Sequence, residues 1–471
     1  MKSDLTETLH SRTQLTARQQ IQLIWRLSLP AIFAQLSSIL MQYIDASMVG
    51  RLGESDAASI GLIASSTWLM GGLCSAFCTG FTILVAQRIG AGDTEGARSL
   101  VRTGLISTML FSGIMAVLGA AISSILPFWL GGSITIHAGA TRYFLICSLS
   151  MPLFQLDMFS CGMLESSGNM RLPSILQMLM CLLDVAFNAL LIFPSRTIIL
   201  THAKILIPGA GLGITGAALG TTCAEAVTAG LMAFFLLCRS PSLHLRAGEK
   251  LHFQHADFSS AVKLSLPVAA EEIVLCGAQI ASTRIVAPLG TAAIAANSFA
   301  VTAESLCYMP GYGIASAAST ITGQCTGAGR RKLAVQMGWL TTGLGMTVMA
   351  TSGILMYIFA PQMIGILSPE ASVRQLGTAV LRIEAFAEPL FAASIVAAGV
   401  LRGAGDTLVP SIMNFCSMWL VRLPLAAFLA PRFGLRGVWI AMCIELCFRG
   451  TLFLIRLAGK QWHSQGNKAD D

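Results

Sequence analysis

Twelve apolar stretches, each bounded by short polar segments, run along the 471-residue chain. They fall near residues 28–50, 57–84, 103–126, 143–164, 173–193 and 214–238, and resume near 260–283, 292–316, 335–360, 376–400, 408–430 and 437–455. A helix that crosses the hydrocarbon core of a bilayer needs about 20 such residues, so each stretch predicts a membrane-spanning helix. Two longer runs, 57–87 and 333–369, hold no charged residue at all, and globular cores are seldom so one-sided. The leading segment differs. Leu15, Ile21, Leu23 and Ile24 sit among Arg18, Gln19, Gln20 and Arg26, a pattern that predicts a short interfacial helix rather than a span or a signal peptide.

An even number of spans puts both termini on one side of the membrane. Loops on that side hold 19 Lys and Arg residues and the opposite loops hold 9, with Arg422 and Arg449 inside spans. Positive charge accumulates on the cytoplasmic face, so both termini are expected in the cytoplasm and the chain in the plasma membrane.

The chain is also written twice. Leu27-Ser28-Leu29-Pro30 recurs as Leu264-Ser265-Leu266-Pro267, and Gly90-Ala91-Gly92 as Gly327-Ala328-Gly329, both at an offset of 237. Pro152-Leu153-Phe154 and Pro173-Ser174-Ile175 recur as Pro389-Leu390-Phe391 and Pro410-Ser411-Ile412 at the same 237. Gly213 and Gly216 then match Gly434 and Gly437 at 221, so the first half carries 16 extra residues in a loop around 194–209. Six spans per half give two parallel repeats with a central cleft. The expected division is an N-terminal segment 1–26, an N-lobe 27–238, a linker 239–258, a C-lobe 259–458 and a tail 459–471. His244, His252 and His255 could suggest metal on the linker, but their spacing there reads as solvated side chains.

Composition sharpens the class. Only 11% of residues are charged and the mean hydropathy is +0.71, against about 25% charged in soluble proteins. A soluble enzyme, a disordered regulator and a secreted disulfide scaffold are excluded. The net charge of +7 is scattered over short loops, so nucleic acid is not an expected partner. The thirteen cysteines form no CxxC pair and read as small buried hydrophobes; the 22 methionines read mainly as packing residues.

One ordered set of motifs resembles the MATE (multidrug and toxic compound extrusion) family. It comprises Asp45 with Val49-Gly50-Arg51-Leu52-Gly53, Gly90-Ala91-Gly92-Asp93, Gly323-Gln324 before Gly327-Ala328-Gly329, and Leu401-Arg402-Gly403-Ala404-Gly405-Asp406-Thr407 before Pro410. Arg422-Leu423-Pro424 and Gly437-Val438-Trp439 extend it, while Pro267 with Glu271, and Glu304-Ser305 before Tyr308-Met309-Pro310-Gly311, resemble the NorM-like branch. The resemblance implies an all-α membrane protein of twelve helices in two six-helix lobes, exporting organic and often cationic compounds in exchange for a cation. The glycines after the second and eighth spans suit sharp turns at positive φ. No P-loop lysine follows them, so an ion gradient rather than ATP is the expected energy source, and no cofactor is expected beyond the coupling H+ or Na+.

Ionisable residues inside spans cost roughly 2.5–3.5 kcal/mol on insertion scales and mark pathways. Asp45 shares a helix face with Gln35 and Gln42, and Gln177, Asp184 and Asn188 form a second polar stripe. Asp45 reads as a cation or proton site; the alternative is a carboxylate near the outer mouth paired with Arg51. The related prokaryotic pattern has Asn before Asp on the fifth helix, whereas here Asp184 precedes Asn188. Asp45 and Asp184 are the expected coupling site, a possible sodium site, with Asp157, Asn188 and Gln42 contributing; Glu225 completes the N-lobe acids.

In the C-lobe, Glu271, Gln279, Glu304, Tyr308 and Glu388 are the expected cavity residues. Glu304 and Tyr308 put a carboxylate beside an aromatic face, a receptor for an organic cation. Adjacent Glu271 and Glu272 point about 100° apart and are not expected to share a cavity. Glu445 and Arg449 read as a structural ion pair, and Arg422 as a partner for Glu384 or Glu388. The helix 10 acid of some sodium-coupled relatives would fall near 392–394, where none stands.

The expected activity is therefore alternating-access antiport by a monomer in the bilayer, exchanging small organic cations for H+ or Na+. A flippase for lipid-linked oligosaccharide is the alternative of related architecture, but it calls for a cationic cavity and these spans hold more acids than bases. An embedded enzyme would need catalytic histidines in the spans, and all seven histidines lie outside them.

Overall fold

A computed structural model describes residues 16–200, 203–245, 253–368, 370–459 and 462. His202, the linker residues Arg246, Glu249, Lys250 and His252, and the tail apart from Gly459 and Trp462 lie outside the described residues, as do residues 1–15.

All twelve apolar stretches are helical. The N-lobe holds α1 (Ala17–Gly50), α2 (Glu54–Gly90), α3 (Thr94–Ile122), α4 (Ile134–Ser166), α5 (Arg171–Leu191) and α6 (Ile214–Phe234). The C-lobe holds α7 (His255–Val286), α8 (Thr291–Gly327), α9 (Arg331–Leu367), α10 in two pieces (Ala371–Glu384 and Glu388–Gly403), α11 (Leu408–Phe433) and α12 (Leu435–Ala458). Ten helices qualify as spans by length and apolarity alone, and the bent α10 pair makes eleven. The remaining one, α8, buries a face of Ala, Gly, Ser and Thr against neighbours, so it needs little lipid-compatible surface.

Three sequence expectations are corrected. The polar stretch before the first span is not a separate interfacial helix: α1 is continuous from Ala17, started by a capping box between Thr16 and Gln19. Ile24 and Leu27 pack with Ile321, Cys325 and Met337 of the other lobe, which explains why the helix persists through a polar sequence. The linker is shorter than expected, because α7 begins at His255. The extra loop of the first half is an antiparallel hairpin, β1 (Pro194–Leu200) paired with β2 (Ala203–Ala210), Ile198 opposite Ile205, a small exception to an all-α chain.

The 60° bend in α10 has a local cause. Pro389 opens the second piece; it has no N–H to give and its ring crowds the carbonyl four residues back, so the helix is interrupted at 385–387.

The lobes meet where α1 packs on α8, α2 on α7, and α2 on α8. They pack closely at the end of the bundle from which α1 starts and where α12 stops, where Ile32 shares a cluster with Leu401, Leu457 and Trp462. Tyr43 of α1 also donates to the Thr302 carbonyl of α8 at 2.7 Å. A Cβ at Gly90 would overlap the backbone of Gln324, and one at Gly327 would overlap the backbone of Gln87. The turn residues beside them do the other job: Gly92 and Gly329 have φ of 78° and 70°. Each Gly-Ala-Gly motif thus divides into a contact glycine and a turn glycine, in both lobes alike.

Candidate coupling and substrate site

Asp45 on α1 and Asp184 and Asn188 on α5 come together in the N-lobe. The Asn188 Nδ2 donates to Asp45 Oδ1 at 2.9 Å and to Asp184 Oδ2 at 3.0 Å. The one amide thus bridges both carboxyl groups. Asp184 and Asn188 are fully buried, and Asp184 Oδ1 and Asn188 Oδ1 have no hydrogen-bond partner. A Cβ at Gly220 would strike Asn188 Oδ1, so glycine lets α6 close over the amide. No ion pair joins Asp45 to Arg51 among the described residues.

The polar stripe on α5 splits. Seven residues of helix span about 10 Å, and the lower member, Gln177, donates to Asp157 Oδ2 of α4 at 2.9 Å. Asp157 therefore forms its own buried pair rather than a ligand for Asp45. Gln42 is exposed and makes no hydrogen bond among the described residues, so it does not join the cluster either.

The C-lobe residues also divide. Glu271 is held by Arg402 Nη2 at 2.8 and 2.9 Å, by Ser411 Oγ at 2.7 Å and by Asn414 Nδ2 at 2.6 Å. Four donor contacts saturate the carboxylate, making it the anchor between α7, α10 and α11. Glu272 turns the other way, toward Gly72 of α2. Gln279 is exposed and stands outside this cage.

Nearer the opposite end, Glu304, Glu384 and Glu388 are buried around the α10 break, and the carboxylates of Glu384 and Glu388 have no hydrogen-bond partner. Tyr308 stands against Phe391 with ring centroids 5.7 Å apart. The expected pairing of Arg422 with Glu384 or Glu388 is corrected: among the described residues Arg422 makes no ion pair, and its Nη2 lies against Met442 Sδ. Glu445 and Arg449 form the expected ion pair, at 3.1 Å, and Ser417 donates to the same carboxylate.

Sequence reasoning passed over Arg402, Ser411 and Asn414. Arg402 was placed in a loop by hydropathy, yet α10 continues through it to Gly403. It also passed over Glu165, which accepts from Ser316 of the other lobe at 2.5 Å. The 237 offset was the available signal, since it equates Glu165 with Arg402.

Among the described residues, no group of three or more His, Cys, Asp or Glu side chains is arranged to hold a metal ion. What the N-lobe cluster offers is two carboxyl groups joined by one amide donor, with Asp184 Oδ1 left without a partner and the amide carbonyl turned toward Gly220 of α6.

A family model described as MatE matches residues 30–190 and 267–428, two stretches that start 237 positions apart. A probable multidrug resistance protein NorM from Thermotoga maritima is 26% identical over 450 residues, 93% of this chain and 92% of that protein. A mutant of the Vibrio cholerae MATE transporter VcmN has a crystal structure that matches with a TM-score of 0.85 at 19% identity, over 98% of this chain and 100% of its own. An outward-facing multidrug resistance transporter of the MOP superfamily matches at 0.84 and 19% identity, over 97% of this chain and 98% of its own.

Proposed function

The chain belongs to the MATE family, and from that premise we propose that it exports small organic compounds, often cationic, in exchange for H+ or Na+ by alternating access. The observation that carries this reading is the Asn188 amide bridging Asp45 and Asp184, with buried oxygens left over. Desolvation favours a carboxyl's neutral form, and a cation favours its ionised form. A coupling ion arriving at this cluster therefore changes the charge that α1 and α5 carry into the lobe. Substrate is held between the lobes on the C-lobe side, where the half-buried Tyr308 offers an aromatic face and the acids Glu304 and Glu388, buried within the lobe, add negative charge without lining the cleft.

The energetics suffice. For a neutral substrate, one charge moving down 100 mV yields ~2.3 kcal/mol against ~1.4 kcal/mol for a tenfold export gradient. For a monovalent cation exchanged one for one the electrical terms cancel, and a more than tenfold concentration gradient of the coupling ion supplies the ~1.4 kcal/mol. The protein works as a monomer in the plasma membrane with both termini in the cytoplasm, since the cleft needs no second subunit.

The test is ethidium efflux from proteoliposomes under an imposed sodium gradient or, separately, a pH gradient, with wild type beside Asp45→Asn and Glu271→Gln. Efflux driven by one ion and lost in Asp45→Asn supports the N-lobe assignment. Loss in Glu271→Gln alone moves coupling to the C-lobe. No response to either gradient, together with binding of a pyrophosphate-linked lipid, would replace antiport by lipid flipping.

A further inference from the structure

Two neighbouring cavities, each of about 390 Å³, open on the outer surface of the C-lobe. The first is lined by Arg374, Arg382 and Arg436 with Gln375 and Thr378. The second is apolar, lined by Tyr357, Ile383, Phe386, Ile440 and Ile444. Arg382 borders both. Their order along the helices is significant. Arg436 stands in the first turn of α12, and Ile440 and Ile444 follow one and two turns deeper. Arg374 likewise precedes Arg382 and Phe386 along α10. The cationic cavity thus lies toward the bundle end away from the termini, and the apolar one toward the middle of the membrane.

None of the three arginines has a carboxylate within 4.0 Å among the described residues. Arg382 donates Nε to the Tyr357 carbonyl at 3.3 Å, and its guanidinium sits 5.2 Å from the Tyr357 ring, an orientation that leaves its terminal nitrogens free for an anion. Neighbouring Arg432 is engaged elsewhere, over the Phe428 ring at 4.1 Å. Basic residues are depleted on this side of the membrane, where only 9 occur, so three in one cavity need an anionic counterpart. Guanidinium groups match phosphate oxygens in a bidentate manner.

We propose that this face holds one anionic phospholipid, its phosphate among Arg374, Arg382 and Arg436 and an acyl chain along Tyr357, Phe386, Ile440 and Ile444. The lipid lies against the outer piece of α10, directly before the bend.

Native mass spectrometry of the full-length protein, titrated with phosphatidylglycerol or phosphatidylcholine, tests this. One phosphatidylglycerol should be retained per chain, with apparent affinity about tenfold above phosphatidylcholine. That preference should vanish in the triple variant Arg374→Gln, Arg382→Gln, Arg436→Gln, whose exposed positions leave folding intact. Ile440→Arg, which blocks only the groove, should weaken retention of either lipid. Equal retention of both lipids by wild type overturns the proposal. So does displacement of lipid by millimolar inorganic phosphate with no effect of Ile440→Arg, since that describes a free-anion site.

Discussion

Gln87 and Gln324 make the same hydrogen bond in opposite directions across the lobe boundary. Gln87 Nε2 of α2 donates to the Gly403 carbonyl at the end of α10, at 3.2 Å. Gln324 Nε2 of α8 donates to the Ser166 carbonyl at the end of α4, at 2.7 Å. Both donors and both acceptors are 237 positions apart, so the pair obeys the pseudo-twofold axis of the repeat. It fastens the lobes at the end that bears the termini, between the contact glycines Gly90 and Gly327.

Removing one fastener should open that end. A neutral hydrogen bond contributes about 1 kcal/mol, so Gln87→Ala should shift the open-to-closed ratio about fivefold. Cys325 is a native reporter: it is buried between the lobes with Ile24 and Leu27. Maleimide labelling of Cys325, followed by peptide mass, should accelerate in Gln87→Ala. An unchanged rate would show that the glutamine does not hold the closed state.

Because one amide serves both carboxylates, Asp45 and Asp184 should act as a unit. Asp45→Asn and Asp184→Asn should each abolish gradient-driven efflux, and the double variant should be no worse than the poorer single one, since groups that act together are not additive. Asp157→Asn should retain efflux within a few fold, because its partner is Gln177. Efflux lost equally in Asp157→Asn would join the two halves of the stripe again.

The parts of this architecture readable from the sequence are those set by the solvent and by repetition. Lipid demands apolar helices whatever they pack against, so twelve spans emerge from hydropathy, and a fixed offset exposes two lobes. Asp184 and Asn188 share a face because they are four residues apart, and that too is local. Which stripe meets which helix is not local: Gln177 and Asp184 look like one polar face until α4 and α1 arrive at different heights. Arg402 was hidden for another reason, since hydropathy ends a span where lipid contact ends, while the helix runs on to the residue that neutralises Glu271. The strands of the hairpin, 194–200 and 203–210, carry the β-branched Thr197, Ile198, Ile199, Ile205 and Ile207, a signal hidden when extra residues between spans are read as a loop.

The Glu271 cage predicts an asymmetry in stability. Arg402→Ala leaves a buried carboxylate facing only Ser411 and Asn414, and breaking a buried pair costs about 3 kcal/mol or more. Glu271→Gln leaves the Arg402 charge instead, on a side chain 27% exposed against 5% for Glu271, so water can solvate it and the cost should be smaller. The double variant Glu271→Gln, Arg402→Ala should recover most of the loss. Thermal unfolding of the purified protein, followed by size-exclusion fluorescence, orders the three variants; if the double is as unstable as Arg402→Ala, the ion pair is not the source of the cost.

The two kinds of glycine in the repeated motif should separate in experiment. Gly327→Ala places a methyl group on the Gln87 backbone, and Gly90→Ala places one on the Gln324 backbone. Backbone cannot rotate aside as a side chain can, so relief requires the lobes to part, and Cys325 labelling should rise beyond the level reached by Gln87→Ala. Gly92→Ala meets a different penalty. Its φ of 78° costs an L-residue roughly 1–2 kcal/mol, yet that strain is confined to a turn between α2 and α3 of one lobe. It should lower the unfolding temperature and leave Cys325 labelling where it was. If Gly92→Ala and Gly90→Ala instead raised labelling alike, the close approach of α2 and α8 would not be what keeps this end shut, and the turn itself would have to be the moving part.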